Sequence, residues 1–158
     1  APHLAGELLS MLAKIKIIHV PYKGNGPAAI ATMTGETTMM FGTGPSVVPH
    51  MKTGRLRALA TTGARRSIAE LPAMSELLPE YNVTQWYGLL APAGTPKDII
   101  IRLHAEVVKA VTSSRVTQTL LSEGAQSTSN TPDEFQAFIK SEIAKWGKVI
   151  KTANLKAD

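Results

Sequence analysis

The most informative stretch of the sequence is residues 19–27, which read His19-Val20-Pro21-Tyr22-Lys23-Gly24-Asn25-Gly26-Pro27. The β-branched run Ile15 to Val20 that leads into them is typical of a strand, and the run Ala28 to Met33 that follows is typical of a helix. The glycines and prolines between the two runs predict a loop that ends at a helix N-terminus. Backbone N–H groups without an acceptor are therefore expected at this point of the chain.

The same order of strand, loop and helix returns a few residues later. Thr37 to Phe41 predicts a strand, and Pro45 to Lys52 predicts a short helix after a second Gly/Pro loop. Pro27 and Pro45 both fall in a first helical turn, where proline is tolerated. Two such helix starts side by side would form a shallow cup of N–H donors, and their dipoles would favour a carboxylate or phosphate there. This pattern predicts binding of an anionic ligand rather than catalysis.

The rest of the chain continues the alternation and predicts an α/β fold with largely parallel strands. Further extended runs are Leu56 to Thr61 and Val83 to Ala91. Further helical runs share an apolar spacing of three to four residues, and they are Leu4 to Ala13, the run from Pro96, Val116 to Leu121 and the run from Pro132.

Several helix ends carry their own signals. Thr95 is predicted as an N-cap with Pro96 as the first helical residue, and Gly124 is predicted to close a helix. Thr131 and Glu134 have the spacing of a capping box. The last helix carries an apolar stripe that predicts core packing, formed by Phe135, Phe138, Ile139, Ile143, Trp146 and Ile150.

Composition narrows the classes of function. The chain has 158 residues, 44% of them hydrophobic, which suffices for a stable core. It has no cysteine, so disulfides and thiolate metal ligands are excluded, and no apolar run reaches the length of about 18 residues that a spanning helix needs. The net charge of +5 favours an anionic partner. Because the basic residues are scattered with few aromatic residues between them, anionic solutes are expected rather than nucleic acid.

Catalytic and metal sites find little support in the sequence. None of the four histidines has metal-ligand spacing to another, so no metal or cofactor is predicted. Ser46 follows a strand-to-helix turn, but Val48 occupies the second glycine position of a hydrolase nucleophile elbow. A hydrolase in which Glu76 and His104 complete a triad is one alternative, which loss of turnover in Ser46→Ala would identify. As an N-cap or a ligand hydrogen-bond donor, Ser46 is better explained. An α/β interaction module without a small ligand is a second alternative, which an apolar surface patch would identify.

Several runs resemble one known family along essentially the whole chain. They are His19–Gly24, Pro49–Ala60, Gly88–Pro96, Thr131–Phe135 and Ile143–Trp146. In these runs the chain is similar to the Bug-type extracytoplasmic solute receptors, the periplasmic binding proteins of tripartite tricarboxylate transport systems.

The resemblance implies a fold and a role. The expected fold is periplasmic binding protein type II-like, with residues 1–85 as the second lobe and residues 86–158 as the hinge return and C-terminal helices that lead back to the first lobe. The N-terminal lobe would be largely absent from this chain. The implied protein is a periplasmic receptor and not an enzyme, with no catalytic residue. It captures a small carboxylate between two lobes, delivers it to the transporter subunits in the membrane, and is a monomer at full length.

The expected ligand contacts come from the two loops and from the start of the first helix. They are His3, Tyr22, Gly24, Gly26, Phe41, Gly42, Thr43 and Ser46. At Gly42-Thr43 this sequence departs from the resembled receptors, which commonly show Asp-Asn there. If that Asp serves an amino group or a hydroxyl of the ligand, its loss disfavours amino acids and favours a simple mono-, di- or aromatic carboxylate. Which carboxylate is bound stays open, because main-chain donors recognise only the acid group.

Overall fold

The computed structural model describes residues 1–153 and 155. Their regular structure consists of six α-helices and a short 3₁₀ helix. In chain order these are α1 (Pro2–Ala13), α2 (Asn25–Met33), α3 (Gly44–Lys52), the 3₁₀ helix (Met74–Glu76), α4 (Lys97–Val111), α5 (Ser114–Ser122) and α6 (Pro132–Thr152).

The predicted α-helices are confirmed, with ends that differ by a few residues. α2 begins two residues before Pro27 and α3 begins one residue before Pro45, so both prolines lie in a first turn as predicted. One helix start was predicted wrongly. Pro96 is the N-cap of α4, so Thr95 is not the cap and Pro96 is not the first helical residue. Pro96 has ψ of 143°, which is extended, and an N-cap residue takes a non-helical conformation of this kind.

The predicted ends of α5 and α6 are confirmed in detail. Gly124 follows α5 with φ of 72°, and its N–H donates to the Leu121 carbonyl at 3.1 Å. At the start of α6, the Glu134 carboxylate accepts the Thr131 N–H at 2.8 Å, and the Glu134 N–H donates to the Thr131 hydroxyl at 3.3 Å. This reciprocal pair is a capping box.

The predicted strands are not confirmed. None of the extended runs forms a strand in the part of the chain that the structure describes, and the pairing seen there is one parallel bridge between Thr61 and Ala73. The physical reason is that β-propensity measures how well a side chain fits a half-buried sheet, whereas a strand also needs a neighbour that accepts and donates its backbone hydrogen bonds. The described residues therefore have the composition of an α/β layer, but their regular secondary structure is helical.

The chain divides into two compact units. Unit 1 comprises Ala1–Gln85 and the end of the chain from Trp146, and unit 2 comprises Trp86–Lys145. Unit 1 has a buried core in which Tyr81 is fully enclosed and its hydroxyl donates to the Ala5 carbonyl of α1 at 3.0 Å. The core contains Ala5, Leu8, Tyr81, Val83 and Val149, with Phe41 and Trp146 among the side chains packed against it.

Unit 1 also contains a closed loop between the Thr61 bridge and the core. The Thr61 N–H donates to the Pro72 carbonyl at 2.8 Å, and the Val83 N–H donates to the Thr62 carbonyl at 2.8 Å. Arg66 binds both carboxylate oxygens of Glu76 at 2.7 Å, which joins the loop to the 3₁₀ helix. Backbone bonds and one bidentate ion pair therefore hold this segment.

Unit 2 has an aromatic cluster but no fully buried residue among residues 86–145. The Trp86 ring packs edge-on against Phe135 and Phe138, with ring centroids 5.6 and 5.3 Å apart. Gly88 lies beside the same cluster, where a Cβ atom would overlap the Phe135 ring. The stripe on α6 was predicted as core, yet Ile143 is 68%, Ile150 40% and Phe138 36% exposed. The prediction is wrong for these three side chains, because the described residues leave much of their surface uncovered.

Candidate functional site

The N-terminus of α2 lies directly after the loop that carries Tyr22 and Gly24. Gly24 is the N-cap, with φ of 106° and ψ of 176°, a conformation that residues other than glycine rarely adopt. Its own N–H donates to the Tyr22 carbonyl at 2.8 Å and is used inside the loop. The N–H groups of Asn25 and Gly26 belong to the first helical turn and have no acceptor within α2. The free donors predicted here therefore come from Asn25 and Gly26.

The N-terminus of α3 repeats this arrangement with a threonine at the cap. Thr43 is the N-cap, with φ of −83° and ψ of 150°. Its carbonyl accepts the N–H of Ser46 at 2.9 Å and that of Val47 at 3.2 Å. Gly44, the first helical residue, has no intrahelical acceptor for its N–H, and Pro45 has no N–H to satisfy.

A chain of side-chain hydrogen bonds joins the two helix N-termini. The Asn25 side-chain amide donates to the Thr43 hydroxyl at 3.2 Å, and the Thr43 and Ser46 hydroxyls are 2.8 Å apart. α2 and α3 also pack against each other. We call the site formed by Asn25, Gly26, Thr43, Gly44 and Ser46 the amide cup. The predicted meeting of the two helix N-termini is confirmed, and both Thr43 and Ser46 belong to it.

The electrostatics of the amide cup favour an anion. Neither α2 nor α3 has an acidic residue in its first turn, so no carboxylate neutralises the positive ends of the two dipoles. The donors are main-chain N–H groups, the Asn25 amide and one of the two hydroxyls, since the other hydroxyl donates in the Thr43–Ser46 bond. Such donors suit a carboxylate oxygen without requiring a charged side chain.

Tyr22 is positioned by an acidic residue beyond α2. Its hydroxyl donates to the Glu36 carboxylate at 2.9 Å. Burial, and then this hydrogen bond, raise the pKa of Tyr22 above its ordinary value. The hydrogen bond joins the loop before Gly24 to the turn after α2.

His3 lies on α1 and takes part in a different arrangement. Its ring stacks on that of His19, with centroids 3.7 Å apart and planes 6° apart, and its Nε2 is 3.4 Å from the Glu7 carboxylate. These partners lie outside the amide cup, so the structure does not bring His3 together with Thr43 or Ser46 through any described contact.

Phe41 and Gly42 precede α3 but differ in their surroundings. Phe41 packs against the core of unit 1 and lies beside Gly6, where a Cβ atom would be 3.6 Å from its ring. Gly42 is exposed, and a Cβ atom there would overlap a methyl group of Val47. Phe41 therefore anchors the loop, and residue 42 has no room for a side chain while Val47 keeps its position.

The residues of the hydrolase alternative have other partners. Ser46 bonds to Thr43, Glu76 is bound by Arg66, and His104 Nε2 lies 2.9 Å from the Asn130 carbonyl oxygen. Ser46 is the third residue of α3, so the expectation that it caps the helix is wrong and Thr43 takes that position. Three members of a triad that are each engaged elsewhere give the alternative no support.

Two residues that contribute to the site or its surroundings were not predicted from the sequence. Asn25 was not predicted as a site residue, although it is polar and stands between two glycines at a helix start, where its amide reaches the second loop. Glu36 was missed because its contact with Tyr22 spans 14 residues and no local pattern signals it.

The described residues show neither a metal-binding cluster nor a membrane-spanning helix. Within residues 1–153 and 155, no three His, Asp or Glu side chains are grouped so as to hold a metal ion. No helix among those residues combines the length and the apolar character that crossing a bilayer requires.

Comparison with known proteins gives a consistent match. The family described as the tripartite tricarboxylate transporter family receptor matches residues 1–155. Protein BugT of Bordetella pertussis is 34% identical over 157 residues, a match that covers 98% of this chain and 48% of BugT. The chain spans about half the length of BugT and of a second curated relative that it matches at 34% identity.

Solved structures agree with this match. Rpa4515 of R. palustris, solved with adipate, has a TM-score of 0.89 and 33% identity, covering 97% of this chain and 52% of its own. MatC (Rpa3494) of Rhodopseudomonas palustris, solved with bound malate, has a TM-score of 0.81 and 29% identity, covering 95% and 53%. The fold of this chain is thus that of about half of such a protein.

Proposed function

Since the chain belongs to the tripartite tricarboxylate transporter receptor family, we propose that it is part of a periplasmic receptor that binds a small carboxylate and passes it to a membrane transporter. The family consists of solute-binding receptors and not of enzymes. The observation that carries the carboxylate assignment is the amide cup, where two helix N-termini without acidic residues meet. Adipate and malate in the two similar structures are both dicarboxylates, which supports the same class of ligand here.

The mechanism follows from the donors. One carboxylate oxygen would accept the N–H groups at the start of α2 and the other those at the start of α3. Because the Thr43 and Ser46 hydroxyls share one hydrogen bond, the one that does not donate in that bond is a further donor. The cup offers an ammonium group no carboxylate, so we expect simple carboxylic acids to bind in preference to amino acids. Because residue 42 has no room for a side chain beside Val47, an acidic residue does not fit at this position.

The lobe assignment is also a proposal. We assign unit 1, which has the buried core and the cup, to the second lobe, and unit 2 to the return toward the first lobe. Unit 2 has no fully buried residue, and its Leu89 and Leu90 are 75% and 79% exposed. The part of the relatives' length that this chain does not span would cover such apolar side chains. Ligand held between the lobes would then favour a closed state, provided that it binds that state more tightly.

A thermal-shift assay tests this function. Adipate and malate are each added to the chain, with adipamide as the uncharged analogue and glutamate as an amino acid. A ligand at about a hundredfold its dissociation constant adds roughly 2.7 kcal/mol of stability. We expect the dicarboxylates to raise the melting temperature and the other two compounds to leave it unchanged.

A matched pair of variants separates the cup from the rest of the helix. Thr43→Val removes the hydroxyl between Asn25 and Ser46, and Thr53→Val makes the same change beyond the opposite end of α3. Loss of the adipate shift in Thr43→Val alone is the expected result. Equal shifts in both variants would place the ligand elsewhere, and equal losses would show a general effect on the helix.

A further inference from the structure

The net positive charge of the chain lies in one of its two units. Unit 1 has eleven Lys and Arg residues against six Asp and Glu, whereas unit 2 has six of each. The net charge of +5 therefore belongs to the unit that carries the amide cup. A charge distribution of this kind favours association of one face with an acidic partner.

Part of this charge is concentrated at the C-terminal end of α3. Lys52, Arg55 and Arg57 are all exposed and lie within six residues of sequence. We call these three residues the basic turn. No carboxylate among residues 1–153 and 155 forms an ion pair with any of them, whereas Arg66 in the same unit binds Glu76 through two bonds of 2.7 Å. The basic turn thus keeps its donors available.

The backbone of the basic turn is held in place. Gly54 has φ of 70° and donates to the Met51 carbonyl at 3.0 Å, and the Arg55 N–H donates to the His50 carbonyl at 2.9 Å. These bonds close the end of α3 in the manner of a C-terminal cap. Leu56 and Ala58 are half-buried, while Arg55 and Arg57 are exposed. The two guanidinium groups therefore extend from an anchored backbone, which lowers the entropic cost of binding.

The basic turn and the amide cup lie at opposite ends of one helix. A nine-residue helix is about 13 Å long, so a partner at the basic turn would leave the cup accessible. Lys52 also lies where the helix dipole favours a cation, but Arg55 and Arg57 lie beyond the helix and are not explained in this way.

We propose that the basic turn is a docking surface for an acidic segment of another polypeptide. Under the function proposed above, on which this assignment of the partner rests, that polypeptide is the membrane transporter that receives the solute. Guanidinium groups bind carboxylates through two parallel hydrogen bonds, which favours Asp and Glu side chains. An anionic membrane is less well matched, because recognition of lipid head groups uses clusters of about four to eight basic residues.

The test measures binding of a fluorescein-labelled peptide of alternating Glu and Ser residues by fluorescence polarisation. The variant Arg55→Gln/Arg57→Gln is compared with Arg102→Gln/Arg115→Gln, which removes the same charge from exposed positions of unit 2. We expect the first variant to weaken binding about tenfold at low salt and the second to change it less than about twofold. Equal weakening in both variants would show an effect of net charge alone and would overturn the proposal.

Two further measurements decide the class of partner. Binding to phosphatidylglycerol vesicles that depends on Arg55 and Arg57, together with no binding of the peptide, would also overturn the proposal. The adipate thermal shift of Arg55→Gln/Arg57→Gln should equal that of the unmodified chain. If adipate shifts neither protein, the proposed function fails, and the peptide titration still decides whether the basic turn docks an acidic segment.

Discussion

Individual side chains in this chain act mainly by fixing backbone, and Tyr81 is the clearest case. It is fully buried, its hydroxyl donates to the Ala5 carbonyl, and burial raises the pKa of Tyr81 to about 12. Sequence patterns did not mark it, because its hydrogen-bond partner is 76 residues away. Buried contacts of this separation need the fold before they can be recognised.

Tyr81→Phe is expected to lower the free energy of unfolding by about 1 kcal/mol through loss of one hydrogen bond. The phenol is raised from an ordinary pKa of 10.0 to about 12 in the folded state. Its contribution is therefore complete below about pH 10 and is lost as the pH rises from 10 toward 12. Urea unfolding of the unmodified chain and of Tyr81→Phe at pH 8 and near pH 11 measures this pH-dependent contribution. If Tyr81→Phe loses as much stability at alkaline pH as the unmodified chain, the assigned role of the Tyr81 phenol is contradicted.

Gly42→Ala is expected to destabilise the chain by about 1–3 kcal/mol, because the added Cβ overlaps a methyl group of the stiff Val47 side chain. The double variant with Val47→Ala removes that methyl group and should restore part of the loss. Chemical denaturation of the two single variants and the double variant gives the coupling energy. Additive effects would mean that residue 42 has space which the structure does not show.

At the level of the elements, local signals predicted the helices well and the strands poorly. Capping at Thr131 and closure at Gly124 depend on neighbours in sequence, and both appear in the structure. The runs at Ile15 to Val20 and Thr37 to Phe41 have the composition of strands. A strand also needs a neighbouring segment to pair with, and the composition of a run does not show whether such a segment is present. The cup was predictable for the same reason as the helices, since each half of it is a local loop before a helix.

Thr131→Ala is expected to destabilise the chain by about 1 kcal/mol, because it removes the capping hydroxyl at the start of α6. Thr128→Ala, at an exposed position in the preceding loop, serves as the control and should change stability little. Melting temperatures of both variants provide the comparison. A loss in Thr128→Ala as large as in Thr131→Ala would argue against the capping box.

The ion pair of the loop in unit 1 makes a prediction about acid stability. The hydrogen bonds from Arg66, followed by the Ala73 N–H, lower the pKa of Glu76 from 4.5 to about 2. A lowered carboxyl pKa stabilises the folded state above about pH 4.5, and this contribution is lost as the pH falls toward 2. Urea midpoints at pH 6 and pH 3 should therefore differ less in Glu76→Gln than in the unmodified chain. An unchanged difference would show that the pair does not contribute.

At the scale of the whole molecule, the two units differ in core, charge and exposed apolar surface. Unit 1 has the buried core and the net positive charge, and unit 2 is neutral without a fully buried residue. The stripe on α6 was predicted as core from its spacing, yet Ile143 is 68% exposed. The spacing of apolar residues identifies an apolar helix face but not the residues that cover it. For the same reason, the lobe boundary after residue 85 and the monomeric state stay predictions.

Fusion of the chain to the part of BugT outside the matched region tests the lobe proposal. If that part covers unit 2, the fusion should protect the amides of residues 86–145 from hydrogen exchange relative to the chain alone. Because ligand would then contact both lobes, adipate affinity should rise as well. Unchanged exchange in unit 2 would reject the assignment of this unit to the segment that returns toward the first lobe.

A titration of the isotopically labelled chain with adipate, followed by amide chemical shifts, decides whether the amide cup is the carboxylate site. We expect saturable shifts at Gly26 and Gly44, whose N–H groups belong to the amide cup, and none with adipamide. Gly94 and Gly124 lie in unit 2 and serve as internal controls. Shifts at Gly94 and Gly124 as large as those at Gly26 and Gly44, or none at the cup at any adipate concentration, would contradict the assignment of the cup as the carboxylate site.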